Sequence, residues 1–299
     1  MRNAALAGYL LVLVYTVAIT CGDAVVKSLS TSYAAPQVFV ISGAVVTALC
    51  LLFNFVGEGT AGGLGTTCPR AMALRSLLTV FASLGYFFAF RLLPFAEVFL
   101  FFGITPVLAA LMSATILHER PGATASVALF AGFGGILFLF PTGISSVSLG
   151  HVAALVASVT GALSIVLSRY IARHETNALA QVFYPNLAIL IVMGLALPAS
   201  WAPMAFGDAL WVVVYGALLF FGRWLLVAAL RLLPAYAVTS VIKIQFVWMV
   251  VIGAVFFGEW PTLNVYVGAA IVVGSGLLLV FGEKLPKPLA PVRHRPVTT

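Results

Sequence analysis

The chain has 299 residues, of which 63% are hydrophobic and 8% charged, with a formal net charge of +7. A soluble domain is roughly 45–50% apolar and about 25% charged, so the solvent for this composition is a bilayer and no soluble catalytic domain fits. The positive charge is no nucleic-acid footprint because it lies between apolar runs, and Cys21, Cys50 and Cys68 lack metal-ligand spacing.

An apolar run of about 20 residues crosses hydrocarbon as a helix, since lipid offers the backbone no other partner. In chain order such runs lie near 4–26, 34–56, 71–92, 95–117, 122–141, 149–170, 178–199, 208–230, 235–257 and 262–281, which predicts ten transmembrane helices. The first follows Arg2 like a secretory leader, but Thr20 before Cys21 is a poor cleavage position, and the reading is an uncleaved helix. Asp23 and Lys27 stand i, i+4 near its outer end and are expected to pair. The breaks carry Gly, Pro or charge, as in "RLLP", "HERPG", "RHETN" and "GEWPT". With the N-terminus inside, the inner segments hold Arg2, Arg70, Arg75, Arg120, Arg169, Arg173, Arg231, Lys284, Lys287, Arg293 and Arg295. The outer ones hold Lys27 and Arg91, so both termini are expected in the cytoplasm, in a bacterial-type inner membrane. The basic, proline-rich tail, residues 282–299, is expected to lie near anionic lipid.

The chain repeats itself. "RLLPFAEVFLFFGITPVLAALMSATILHERP" (91–121) aligns without a gap on "RLLPAYAVTSVIKIQFVWMVVIGAVFFGEWP" (231–261), at an offset of 140. Arg91 to Pro94 match Arg231 to Pro234, and Glu119 and Pro121 match Glu259 and Pro261. Each half, 1–141 and 149–281, then holds five helices; five is odd, so the second half enters from the opposite side. The expected fold class is an all-α integral membrane protein built of two inverted five-helix repeats. Halves related in this way can expose a central site to either side in turn.

Two cations sit inside apolar runs. Arg223 and Lys243 fold to one height across the Leu232–Pro234 hairpin, about 12 Å deep at 1.5 Å per residue. No carboxylate shares that depth in either helix, so both suit a wet cavity that receives an anionic group; the alternative is snorkelling to the cytoplasmic surface. Gln245, whose repeat counterpart is Thr105, is either a cavity residue or an interhelical hydrogen-bond donor. Ser83 is the counterpart of Arg223. Tyr15, Tyr86, Trp224 and Trp248 are candidate aromatic walls. Glu119 and Glu259 end helices and are expected to tie loops, and Glu97 stands near Arg91. Pro94, Pro106, Pro185 and Pro234 are candidate flex points. With no acid expected at mid-bilayer, movement of cargo should depend little on a proton or sodium gradient.

Residues 75–122 resemble the repeat of the EamA family of the drug/metabolite transporter superfamily. Leu93-Pro94 and Glu97 match its Leu-Pro-x-Ala-Glu turn, Pro106 its mid-helix proline, and Glu119 the glutamate closing the fourth helix. The second copy keeps Pro234 and Glu259 but carries Ala237 and Phe246 in place of the turn acid and the proline. The resemblance implies a ten-helix transporter of small metabolites, without metal or cofactor and not an enzyme. Taken with the cations, it points to an exporter of aromatic or neutral amino acids, acting as a monomer or homodimer by alternating access. A carrier of S-adenosylmethionine or nucleotide-sugars is the alternative, and an intramembrane enzyme a remote one.

Overall fold

The computed structural model describes residues 2–56, 63–116, 123–138, 147–175, 177–232, 242 and 244–282. Among these residues there is no strand, and the helices are α1 (Arg2–Ser30), α2 (Ala35–Val56), α3 (Pro69–Leu92), α4 (Phe95–Ile116), α5 (Ala123–Leu137), α6 (Leu149–Ala172), α7 (Ala178–Ala196), α8 (Phe206–Leu232), α9 (Gln245–Phe257) and α10 (Leu263–Gly282). Seven of them, α1 to α4 and α6 to α8, are long and apolar enough to cross a membrane. Of the ten spans expected from sequence, seven are thus supported among the described residues, while α5, α9 and α10 present shorter described apolar stretches; α9, for example, has 13 residues. The outer surface is apolar: Phe55, Leu195 and Phe206 are 83%, 80% and 85% exposed, as suits side chains whose solvent is lipid.

Without a hydrophobic drive between helices in lipid, association depends on close backbone approach, and glycine supplies it at two crossings. A Cβ on Gly85 in α3 would fall 2.8 Å from the Ala153 carbonyl of α6. One on Gly268 in α10 would fall 2.6 Å from the carbonyl of Gly135 in α5, so the glycine-rich helices meet within the protomer. The packing partners are α1 with α8 and α9, α3 with α6 and α7, α2 with α7 and α8, α4 with α6, and α5 with α10.

Polar anchors gather the helix ends onto two faces. On the first face, Tyr33 after α1 donates to Asp208 at the start of α8 (2.6 Å). That bond to a carboxylate holds the Tyr33 phenol above its usual pKa. Ser148 and His151 form a capping box at the start of α6, and His151 lies 3.6 Å from Glu97 at the start of α4. The expected neighbour of Glu97 was Arg91; the helix start packed beside it supplies the imidazole instead. On the second face, Glu175 after α6 accepts from Thr66 and Thr67 before α3, and Asn177 caps α7 while binding the Gly63 and Gly65 carbonyls.

The most connected anchor ends α9. Gly258 takes a left-handed conformation (φ 66°), open to glycine at little steric cost, and the turn lets the Glu259 amide return to the Gly253 carbonyl (2.9 Å). The Glu259 carboxylate then meets Lys27 (2.9 Å) and accepts from the Phe95 amide at the start of α4 (2.7 Å). Lys27 also donates to the carbonyls of Leu93 (2.8 Å) and Phe90 (3.3 Å) and lies over the Phe257 ring. The expected Asp23–Lys27 pair is therefore overturned: the ammonium of Lys27 finds a carboxylate and two helix-end carbonyls together, which an i, i+4 partner cannot match.

Candidate functional site

Along α1, Thr16, Thr20, Asp23 and Lys27 recur at helical spacing and form one polar stripe that faces the bundle interior. The threonine hydroxyls donate to their own helix, Thr16 to Leu13 and Thr20 to Thr16 (both 2.7 Å). From α9, Trp248 Nε1 donates to Thr16 Oγ1 (3.2 Å) and Gln245 Nε2 to Asp23 Oδ2 (3.4 Å). Asp23, expected beside Lys27, thus has a neutral amide as its hydrogen-bond partner. It lies half-buried inside the bundle, one turn before Lys27 on α1.

An aromatic wall faces the same region from α3 and α4. Tyr86 stacks on Phe102 with ring centres 4.1 Å apart and planes 17° from parallel, and Phe90 lies 6.0 Å from the same ring. The Tyr86 hydroxyl meets Ser158 Oγ of α6 (3.1 Å), which donates to the Phe101 carbonyl (2.8 Å). Thr105 interacts with the same hydroxyl. Ser83, one turn before Tyr86, is half-buried.

Two cations occupy the half nearer the second face. Arg223 of α8 makes no hydrogen bond or ion pair among the described residues; its electrostatic neighbours are Tyr15, Tyr215 and Cys50. Arg75 of α3 lies within electrostatic reach of Arg223. One Arg75 nitrogen donates to the Gln181 carbonyl (2.6 Å), while its buried Nε has no partner. Like charges within reach of each other inside a bundle raise the cost of burying either one.

Sequence-predicted residues therefore divide. Gln245 and Trp248 of α9 meet the polar stripe of α1, Tyr15 of α1 lies in the electrostatic reach of Arg223, and Tyr86 meets Thr105, with Ser83 one turn before it on α3. Trp224 does not join them: 100° round α8 from Arg223, it is 58% exposed and its ring lies near Phe53 on the outer surface. Lys243, Pro234 and Glu119 lie outside the described residues. Pro94 precedes α4 and its carbonyl accepts from Glu97 N (3.0 Å); Pro106 and Pro185 lie within α4 and α7. Sequence reasoning missed Asp23, Arg75 and Tyr215 as interior groups. The periodic stripe of α1 could have found Asp23, whereas Arg75, one turn into the expected third span, counts there only among the charges of the inner segments.

A separate groove of about 410 Å³ runs between α1, α8 and α9, lined by Cys21, Val25, Asp208, Trp211 and Phe257. It lies on the opposite face of α1 from Asp23.

Comparison with known proteins bears on this geometry. Residues 148–281 match the EamA-like transporter family. A riboflavin transporter of Brucella anthropi is 22% identical over 253 residues, covering 82% of this chain and 88% of that one. A protein of known crystal structure superposes with a TM-score of 0.57 at 20% identity, over 93% of this chain and 96% of the other, which shows a shared fold.

Proposed function

We propose that this multi-pass membrane chain, whose residues 148–281 match the EamA-like transporter family, carries small metabolites bearing a carboxylate across the membrane, aromatic or neutral amino acids first among them. The observation that carries this is Arg223, half-buried in the bundle beside Tyr15 and Tyr215 with Arg75 in reach and no ion pair among the described residues. A carboxylate supplies that charge, and the Tyr86–Phe102–Phe90 wall receives a flat side chain.

Alternating access follows from two inverted halves, residues 1–141 and 149–281. The gapless repeat at offset 140 supports this. So does the packing: adding or subtracting five helices turns α1–α8 into α6–α3, α2–α8 into α7–α3 and α1–α9 into α6–α4, and every image is itself a packed pair. The site lies where the halves meet, as rocking between two states requires.

A second reading is riboflavin, favoured by the relative from Brucella anthropi. Riboflavin has a flat ring but no carboxylate, so the two cargoes separate in one assay. Proteoliposomes containing the chain should accumulate labelled phenylalanine or tyrosine, with unlabelled riboflavin failing to compete. Uptake of riboflavin alone, unaffected by Arg223→Gln, would replace the amino-acid reading.

The second face, which carries Arg70, Arg75, Arg169 and Arg173, is the cytoplasmic side of an inner membrane; Lys27 and Arg91 mark the other. Cys68 sits just before α3 on that face. In a Cys21→Ser, Cys50→Ser background, an impermeant maleimide should label Cys68 in inside-out vesicles and not in intact cells. Labelling in intact cells reverses the assignment.

A further inference from the structure

We propose that the groove between α1, α8 and α9 is a lipid site, which holds an acyl chain of a phospholipid from the first-face leaflet while Asp208 binds that lipid's primary ammonium headgroup. The site is separate from the polar stripe of α1, whose Asp23 points the other way.

The groove has the dimensions of a lipid tail. At 1.5 Å per residue its lining runs about 15 Å along α8 from Asp208 to Leu218, and about 12 Å along α1 from Leu29 to Cys21. One leaflet supplies half of a hydrocarbon core about 30 Å thick. Between its ends the walls are apolar: Val25, Leu29, Leu218, Ile252 and Phe256. Phe256 is 76% exposed, so the groove opens sideways to lipid. A neighbouring acyl chain enters from the side, whereas a soluble ligand must first cross hydrocarbon.

Its polar end lies at headgroup depth. Trp201, Trp211 and Trp260 are all exposed around the first-face ends of α8 and α9, as in an interfacial aromatic belt. Asp208, one turn before Trp211, places a carboxylate at that level. Tyr33 donates to its Oδ2 (2.6 Å), and Asp208 forms no ion pair among the described residues, so Oδ1 is left to accept a second donor.

Charge selects the headgroup. Among the described residues that line the groove there is no lysine, arginine or histidine. Lys27, beside it on α1, is tied to Glu259 and two carbonyls. Asp208 therefore repels an anionic headgroup and attracts a cationic one. A primary ammonium carries N–H donors for Oδ1, and a trimethylated one has none. Phosphatidylethanolamine meets both conditions.

The test uses the purified full-length chain in detergent, titrated with phosphatidylethanolamine, phosphatidylcholine and phosphatidylglycerol of identical acyl chains, with bound lipid read by native mass spectrometry. On the wild type, phosphatidylethanolamine should bind about tenfold more tightly than phosphatidylcholine, the increment of one hydrogen bond to a charged group. Phosphatidylglycerol should bind most weakly. Asp208→Asn, whose amide oxygen still accepts from Tyr33, should bring phosphatidylethanolamine down to the level of phosphatidylcholine and leave the latter unchanged. Val25→Trp, which fills the groove below the headgroup, should weaken binding of all three. Glycerophosphoethanolamine, a headgroup without tails, should not compete. Equal binding of the three lipids by the wild type, or a preference for phosphatidylglycerol, would overturn the site. So would an ethanolamine preference that survives Asp208→Asn, or lipid binding that survives Val25→Trp. A dimer without bound lipid would assign the groove to a second copy of the chain instead. The wild-type series decides whether or not the variants fold.

Discussion

Arg223→Gln should abolish amino-acid flux while leaving the protein at least as thermally stable as wild type. Removing one member of a desolvated charge pair formed with cargo costs about 2–5 kcal/mol of binding, roughly 30-fold or more in affinity. The empty protein loses a burden, because Arg223 is a half-buried guanidinium without an ion pair among the described residues. That divergence separates a binding role from a structural one. Arg75→Gln should weaken flux less, since one of its nitrogens is already held by the Gln181 carbonyl. Trp224→Ala, on the outer surface, should leave flux near wild type. Flux and affinity intact in Arg223→Gln would remove the carboxylate site from this chamber.

Glu259→Gln should unlock the first face. One carboxylate joins the end of α9 to Lys27 of α1 and to the first amide of α4, and Lys27 in turn holds the end of α3. Four helices, α1, α3, α4 and α9, are thereby tied at one end. Losing the counter-charge strands an ammonium whose side chain is 10% exposed, at a cost of up to about 3 kcal/mol. The melting temperature should fall, and Cys21, in the groove beside this end of α1, should label faster from the first face. Lys27→Met combined with Glu259→Leu should recover stability, because an apolar pair removes both charges together, yet should not recover flux. Unchanged melting and labelling in Glu259→Gln would show that the tie does not hold that end closed.

Several particulars were legible from residue order alone. Hydropathy placed the spans, because a helix in hydrocarbon must be apolar over its length whatever it packs against. The offset of 140 exposed a gapless internal match between residues 91–121 and 231–261, and glycine and proline marked the ends, including the Gly258 turn that aims Glu259. Arg223, Tyr86, Thr105 and Gln245 stood out because a polar group inside an apolar run is costly wherever it points.

Tertiary structure decided the partners. Lys27 chose Glu259 over Asp23, four residues away; Asp23 met Gln245, 222 residues further along. Arg75 turned inward onto the Gln181 carbonyl, and Trp224 turned outward beside an Arg223 that is half-buried. The reason is physical. Periodicity along one helix says which side chains share a face, but the helix that face meets is set by close approach at small residues such as Gly85 and Gly268, and that contact leaves no local trace in the sequence.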